Sequence, residues 1–151
     1  FASMAGATLQ SILGAGSAPV VAHETLRKME QGGFSFETAL LVIGAVVIAP
    51  VVEEVLYRGV LQQTLRRAGA SARGAILITT TLFTIMHLGD GAIDQESAWT
   101  ALPALFVLGL LFGVLYERSG RLAAPIAAHA LFNLVNVLVM LLTAAPAEAG
   151  V

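Results

Sequence analysis

The chain has 151 residues, 57% apolar and only 12% charged, with a formal net charge of −2 and no cysteine. A soluble domain carries about a quarter charged residues, so this balance, with a mean hydropathy of +0.83, excludes an ordinary water-soluble globule. Disulfides, thiolate metal sites and a thiol nucleophile are excluded by the lack of cysteine, and eight Lys and Arg that form no basic stripe argue against nucleic acid as a partner.

Residues 1–20 are small and weakly apolar, with Gly6, Gly14, Gly16 and Pro19. They read as the tail of a transmembrane helix or as an interfacial segment. Residues 23–33 read as a short polar helix closed by Gly32 and Gly33. Residues 1–35 thus form a weakly apolar and polar helical segment ahead of a core at 36–143, and 144–151 form a tail. The first strong apolar segment runs from about Phe36 to Ala68, longer than the roughly 20 residues that cross a hydrocarbon core. It carries no charge from Ala39 to Val52 and then turns abruptly acidic at Glu53 and Glu54. Pro50 is placed to kink it one turn earlier.

The second span runs from Gly74 to Leu88, followed by an acidic loop, Gly89 to Ser97. The third span is Trp99 to Tyr116, with an aromatic residue at each end as interfacial belts favour, and Glu117 to Arg121 make a polar turn. Leu122 to Leu142 is the fourth span. The fold class expected is all-α: a polytopic membrane bundle of four strong transmembrane helices plus the weak N-terminal helical region. Arg66, Arg67 and Arg73 flank the first turn and Arg118 and Arg121 the third, while the middle loop holds Asp90, Asp94 and Glu96. The positive-inside rule puts the two basic turns in the cytoplasm. Arg outnumbers Lys seven to one and Ala and Gly are abundant, which hints at a GC-rich bacterial genome; the location expected is a bacterial inner membrane. Gly109-x-x-x-Gly113 in an apolar helix is a close-packing pattern, although Gly is common in membrane helices.

A charge within lipid costs a few kcal/mol and usually has a partner or a task. The strongly polar residues deep in the four spans are Glu53, Glu54, Arg58, His87, His129, Asn133 and Asn136. Residues four apart share a helix face, which pairs Glu54 with Arg58, Phe83 with His87, and His129 with Asn133. Tyr57 is four from Glu53. Counting from the arginines at the basic end, Glu53 lies ~20 Å deep, His87 ~21 Å, Asn133 ~18 Å and His129 ~12 Å. A four-helix bundle would bring them into one polar pocket. Taken singly, a His or Asn in a membrane helix is commonly an interhelical hydrogen bond, and Glu54 with Arg58 reads as structural.

Glu53-Glu54-x-x-x-Arg58, Phe83-x-x-x-His87 and His129-x-x-x-Asn133, in that order on successive helices, resemble the three motifs of the CPBP family, the type II CAAX-prenyl endopeptidases and Abi-type membrane proteins. The resemblance covers about residues 37–142. The weak N-terminal region departs from the family, whose members usually have more helices ahead of the core. The resemblance implies a glutamate-dependent intramembrane endopeptidase. In it Glu53 with His87 would activate a water, His129 and Asn133 would stabilise the oxyanion, and Glu54 and Arg58 would support the site. A carboxylate in water-poor surroundings suits general-base work near neutral pH, and an imidazole and an amide on one helix face can donate to one oxygen.

The partners then expected are membrane lipid and a protein or peptide substrate, with no cofactor and no metal. Three other readings stay open. Two His and two Glu can bind zinc, without an HExxH. Intramembrane acids and imidazoles make proton relays, which need polar groups spread along the depth. A catalytically idle membrane binder, as in immunity or scaffolding, would carry the same motifs. No serine lies deep in the four spans, and Thr84, the only threonine within a turn of His87, is better placed to bond its own helix backbone.

Overall fold

The computed structural model describes residues 35–89 and 95–143. The expected N-terminal segment, most of the acidic loop and the tail lie outside them. The described residues form four helices and no strand: α1 Phe36–Arg67, α2 Ala72–Gly89, α3 Gln95–Ser119 and α4 Ala123–Thr143. Ser35 opens α1 as a side-chain cap on the Thr38 N–H at 3.2 Å. Gly69, at φ +92°, closes it. The Ala70 N–H returns to Leu65 O at 3.0 Å and the Gly69 N–H to Arg66 O at 3.2 Å, the paired bonds of a glycine-terminated helix. Gly120, at φ +62°, ends α3 in the same left-handed region. Two turns expected from glycine and charge are therefore built on glycine backbone freedom. Helix α3 begins at Gln95, so Gln95, Glu96 and Ser97, expected in the loop, belong to the helix.

Among the described residues two helices are long and apolar enough to cross a bilayer, Phe36–Arg67 and Leu102–Ser119, and Ala123–Val139 is a shorter apolar stretch. The expected second span at Gly74 to Leu88 lies in α2, where Thr79, Thr80 and Thr84 dilute its apolar character. The distribution of polarity is inverted relative to a soluble bundle. Val52, Leu56, Leu82, Met86, Val107 and Leu131 stand exposed, whereas Glu54, Arg58, Gln62, Thr79 and Asn133 are buried. Such an apolar surface is stable against lipid, not against water.

Helix α1 is continuous but not uniform, with wider π-helical turns at Gly44–Ile48 and Val55–Gln62. The first ends immediately ahead of Pro50, whose ring would clash with the carbonyl four residues back in a regular helix. The second holds Arg58 and Gln62, both fully buried. Helices α2 and α3 meet at the Gly109-x-x-x-Gly113 pattern. A methyl group at Gly109 would lie 2.9 Å from Thr80 Cγ2, and one at Gly113 would lie 3.0 Å from Ile76 Cγ2. The glycines let two backbones approach, as the pattern predicts.

Candidate active site

Residues four apart on α1 build one side of the site. Arg58 Nη1 donates to Glu54 Oε1 at 2.7 Å, and Arg58 Nη2 donates to Gly109 O at 3.0 Å. Gln62, four residues on, donates to Gly113 O and to Glu117 Oε2, each at 3.2 Å. Arg66, four further, pairs with Glu117 at 2.9 Å. This ladder fixes α1 against α3 in parallel register. Its buried member Gln62 is a site-supporting residue that a search for charged and imidazole groups overlooks, although the four-residue series Glu54, Arg58, Gln62, Arg66 contains its signal. Three rings surround the Arg58 guanidinium: Phe83 at 5.1 Å, Phe112 at 5.4 Å and Tyr57 at 5.9 Å. The aromatic faces help hold a cation away from water.

Helix α4 brings His129 onto the two carboxylates. Its Nδ1 lies 3.0 Å from Glu54 Oε1 and its Nε2 lies 3.8 Å from Glu53 Oε2. A carboxylate accepts, so Nδ1 carries the proton that faces Glu54. The ring stacks on Phe112 at 4.8 Å. His129 is thus level with Glu53, deeper than a count from Arg121 gives. The reason lies at Gly59, where a methyl group would stand 3.3 Å from Leu122 Cδ1. Helix α4 therefore starts beside Gly59, about two turns inward of Arg66. From that common level Glu53 is six residues along and His129 seven, or ~9 and ~10 Å.

His87 is buried on α2 with its Nδ1 2.7 Å from Phe83 O, one turn back. A carbonyl only accepts, so Nδ1 is protonated, and in the neutral ring Nε2 is the acceptor. The Phe83 ring lies between the two imidazoles, 4.4 Å from His87 and 6.2 Å from His129. Asn133 shares the α4 face with His129, but its Nδ2 donates to Ala45 O of α1 at 2.8 Å, eight residues ahead of Glu53. Asn136 is buried one turn further on. Thr84 Oγ1 bonds Thr80 O at 2.9 Å, its own helix backbone. An apolar cleft of about 470 Å³ opens between α2 and α3, lined by Thr84, Leu102, Pro103, Phe106 and Val107. Among the described residues no three His, Asp or Glu side chains converge as a set able to hold a metal ion.

Glu53, Glu54, Arg58 and His129 therefore meet at one level, with His87 beyond the Phe83 ring and Asn133 one turn deeper. A helical bundle with an apolar exterior and two carboxylates, a guanidinium and an imidazole in contact inside it is a membrane protein with a buried acid–base centre. Residues 35–135 match the family described as Rce1-like, Type II CAAX prenyl endopeptidase Rce1-like, and the chain belongs to that family. It is similar to CAAX prenyl protease 2 of Arabidopsis thaliana, 31% identical over 107 residues, which is 62% of this chain and 34% of the relative. The chain spans about a third of the length of the curated relative it matches. No solved structure matches it.

Proposed function

We propose that the protein is an intramembrane endopeptidase that hydrolyses a peptide bond of a membrane-associated protein or peptide, using a water activated by Glu53. The observation that carries the reading is the pair Glu53 Oε2 and His129 Nε2, 3.8 Å apart and backed by Glu54 and Arg58. Buried charges persist only when paired. Two carboxylates against one guanidinium leave the cluster short of one positive charge. A single proton, on His129 or on Glu53, balances it. Glu53 Oε2 and Glu54 Oε2 are both buried without a hydrogen bond from the described residues, but the Glu53 side chain is 21% exposed and that of Glu54 0%, so Glu53 is the carboxylate more open to a substrate or a water. Glu54 Oε1, by contrast, already faces Arg58 and His129.

With the proton on His129, Glu53 takes a proton from water as the water oxygen bonds to the scissile carbonyl carbon. The carbonyl π electrons move to oxygen, and the resulting oxyanion accepts a hydrogen bond from His129 Nε2–H. The second N–H of Asn133 is the further donor. Collapse of the tetrahedral species reforms the carbonyl and breaks the C–N bond, and Glu53 returns its proton to the leaving amine. His87, with Nε2 as acceptor, assists in orienting the water. An apolar portion of the substrate lies in the cleft beside Thr84. The proposed location is a bacterial inner membrane.

The zinc reading is less favoured, because Glu54 is occupied by Arg58 and His129. Comparing membrane-protein termini by mass spectrometry in cells carrying the wild type or Glu53→Gln tests the proposal. Termini present only with the wild type are its products. Turnover of a peptide chosen from them should fall about 10²-fold or more in Glu53→Gln, and should survive EDTA or phenanthroline. Unchanged termini overturn the protease reading. Loss on chelation with recovery on added zinc overturns the metal-free mechanism.

A further inference from the structure

Ala45 O is the backbone carbonyl that α1 cannot satisfy from within. In a regular helix it would accept from the Ala49 N–H, but that N–H goes to Gly44 O in the wider turn. A wider turn would pair Ala45 O with residue 50, and Pro50 has no N–H to give. The donor comes from α4: Asn133 Nδ2, 2.8 Å away, on a side chain 1% exposed. A buried carbonyl left unpaired is destabilising, so this bond favours the geometry that α1 adopts at this point.

We infer that Asn133 is a positioning residue: its amide caps the carbonyl that Pro50 leaves without a donor, and thereby holds the wide turn that aims Glu53 and Glu54 at α4. The consequence for the site is angular. One extra residue in a helix turn rotates everything after it by ~100° relative to everything before it. Thr38, ahead of the wide turn, and Ala45, near its start, are buried, and so are Glu54, Arg58 and Gln62 after it. Losing the wide turn would move one of these sets off the bundle face. The cap belongs to the same α4 face as His129, so one helix both meets the carboxylates and sets their direction.

The inference goes beyond an oxyanion role for Asn133, and only its kinetic arm rests on Glu53 being the base. Asn133→Ala is compared in two backgrounds, the natural Pro50 and Pro50→Ala, which restores an N–H at residue 50. In detergent, Asn133→Ala should lower Tm in the Pro50 background, and the fall should shrink to about half or less with Pro50→Ala. Should Asn133→Ala not fold with Pro50, recovery of folded protein in the double variant replaces that comparison. In turnover, Asn133→Ala should lower kcat about tenfold more with Pro50 than with Pro50→Ala, as misplacement of a reacting group adds to the loss of the oxyanion donor common to both. KM should change little. Equal losses of Tm and kcat in both backgrounds, or no recovery of fold, overturn the inference. An active Glu53→Gln overturns the proposed chemistry and leaves the Tm comparison intact.

Discussion

Glu54 Oε1 faces two nitrogen donors, Arg58 Nη1 at 2.7 Å and His129 Nδ1 at 3.0 Å, and both Glu54 and Arg58 are fully buried. Glu54 thus holds the guanidinium and the imidazole, and the proposed mechanism gives the adjacent Glu53 a different duty, toward substrate. Removing one partner of a buried ion pair strands the other, at a cost of about 3–5 kcal/mol. Glu54→Gln is expected to lower both the yield of folded protein and its Tm in detergent, as well as turnover. Arg58→Lys should also destabilise, since an ammonium cannot span Glu54 and Gly109 O in the planar fork of a guanidinium. Melting curves of the purified variants check both. A Glu54→Gln protein that melts like wild type and has lost all turnover, beside an active Glu53→Gln, would exchange the roles of the two carboxylates.

At the scale of the helices, Gly109 serves two neighbours. Its carbonyl accepts from Arg58 at 3.0 Å, and its missing side chain admits Thr80 of α2, whose Cγ2 would stand 2.9 Å from a methyl group there. A β-branched residue on a helix has few rotamers with which to retreat. Gly109→Ala should therefore cost about 1–3 kcal/mol through overpacking. Thr80→Ala removes the clashing methyl, so the double variant should recover most of that loss in Tm. Equal losses with and without Thr80 would mean that the helices do not touch at Gly109. The sequence announces this contact because small residues at four-residue spacing leave few alternatives. The partner of Gln62 is not announced, because Gly113 O presents no side chain to read. The wide turn before Pro50 is hidden for a similar reason. A proline signals trouble for a helix, but whether a kink or a wider turn relieves it depends on Asn133, 83 residues away in the chain.

For the whole molecule, the order of four helices, their antiparallel succession and the convergence of acid and imidazole are legible in hydropathy and four-residue spacing. Relative depth is less so. A ruler zeroed on the terminal arginines assumes that every helix starts level, and α4 starts beside Gly59. The same ruler places Asn133 level with Glu53, whereas it meets Ala45. Orientation follows from charge. Apart from buried Arg58, every Lys or Arg among the described residues, namely Arg66, Arg67, Arg73, Arg118 and Arg121, belongs to the α1–α2 or α3–α4 turn. The Arg66–Glu117 pair at 2.9 Å puts those turns at one end of the bundle. That end is expected in the cytoplasm. The chain has no cysteine, so single cysteines report without background. Ala68 and Ser119 are exposed at the basic end, and Phe36, 78% exposed, lies at the start of α1. Ala68→Cys and Ser119→Cys should react with a membrane-impermeant maleimide in inverted vesicles and not in intact spheroplasts. Phe36→Cys should show the opposite pattern. Labelling of Ala68→Cys and Ser119→Cys from opposite sides would break the parallel register of α1 and α3 on which the Arg58, Gln62 and Arg66 ladder depends. Labelling of both from outside would keep the bundle and invert it.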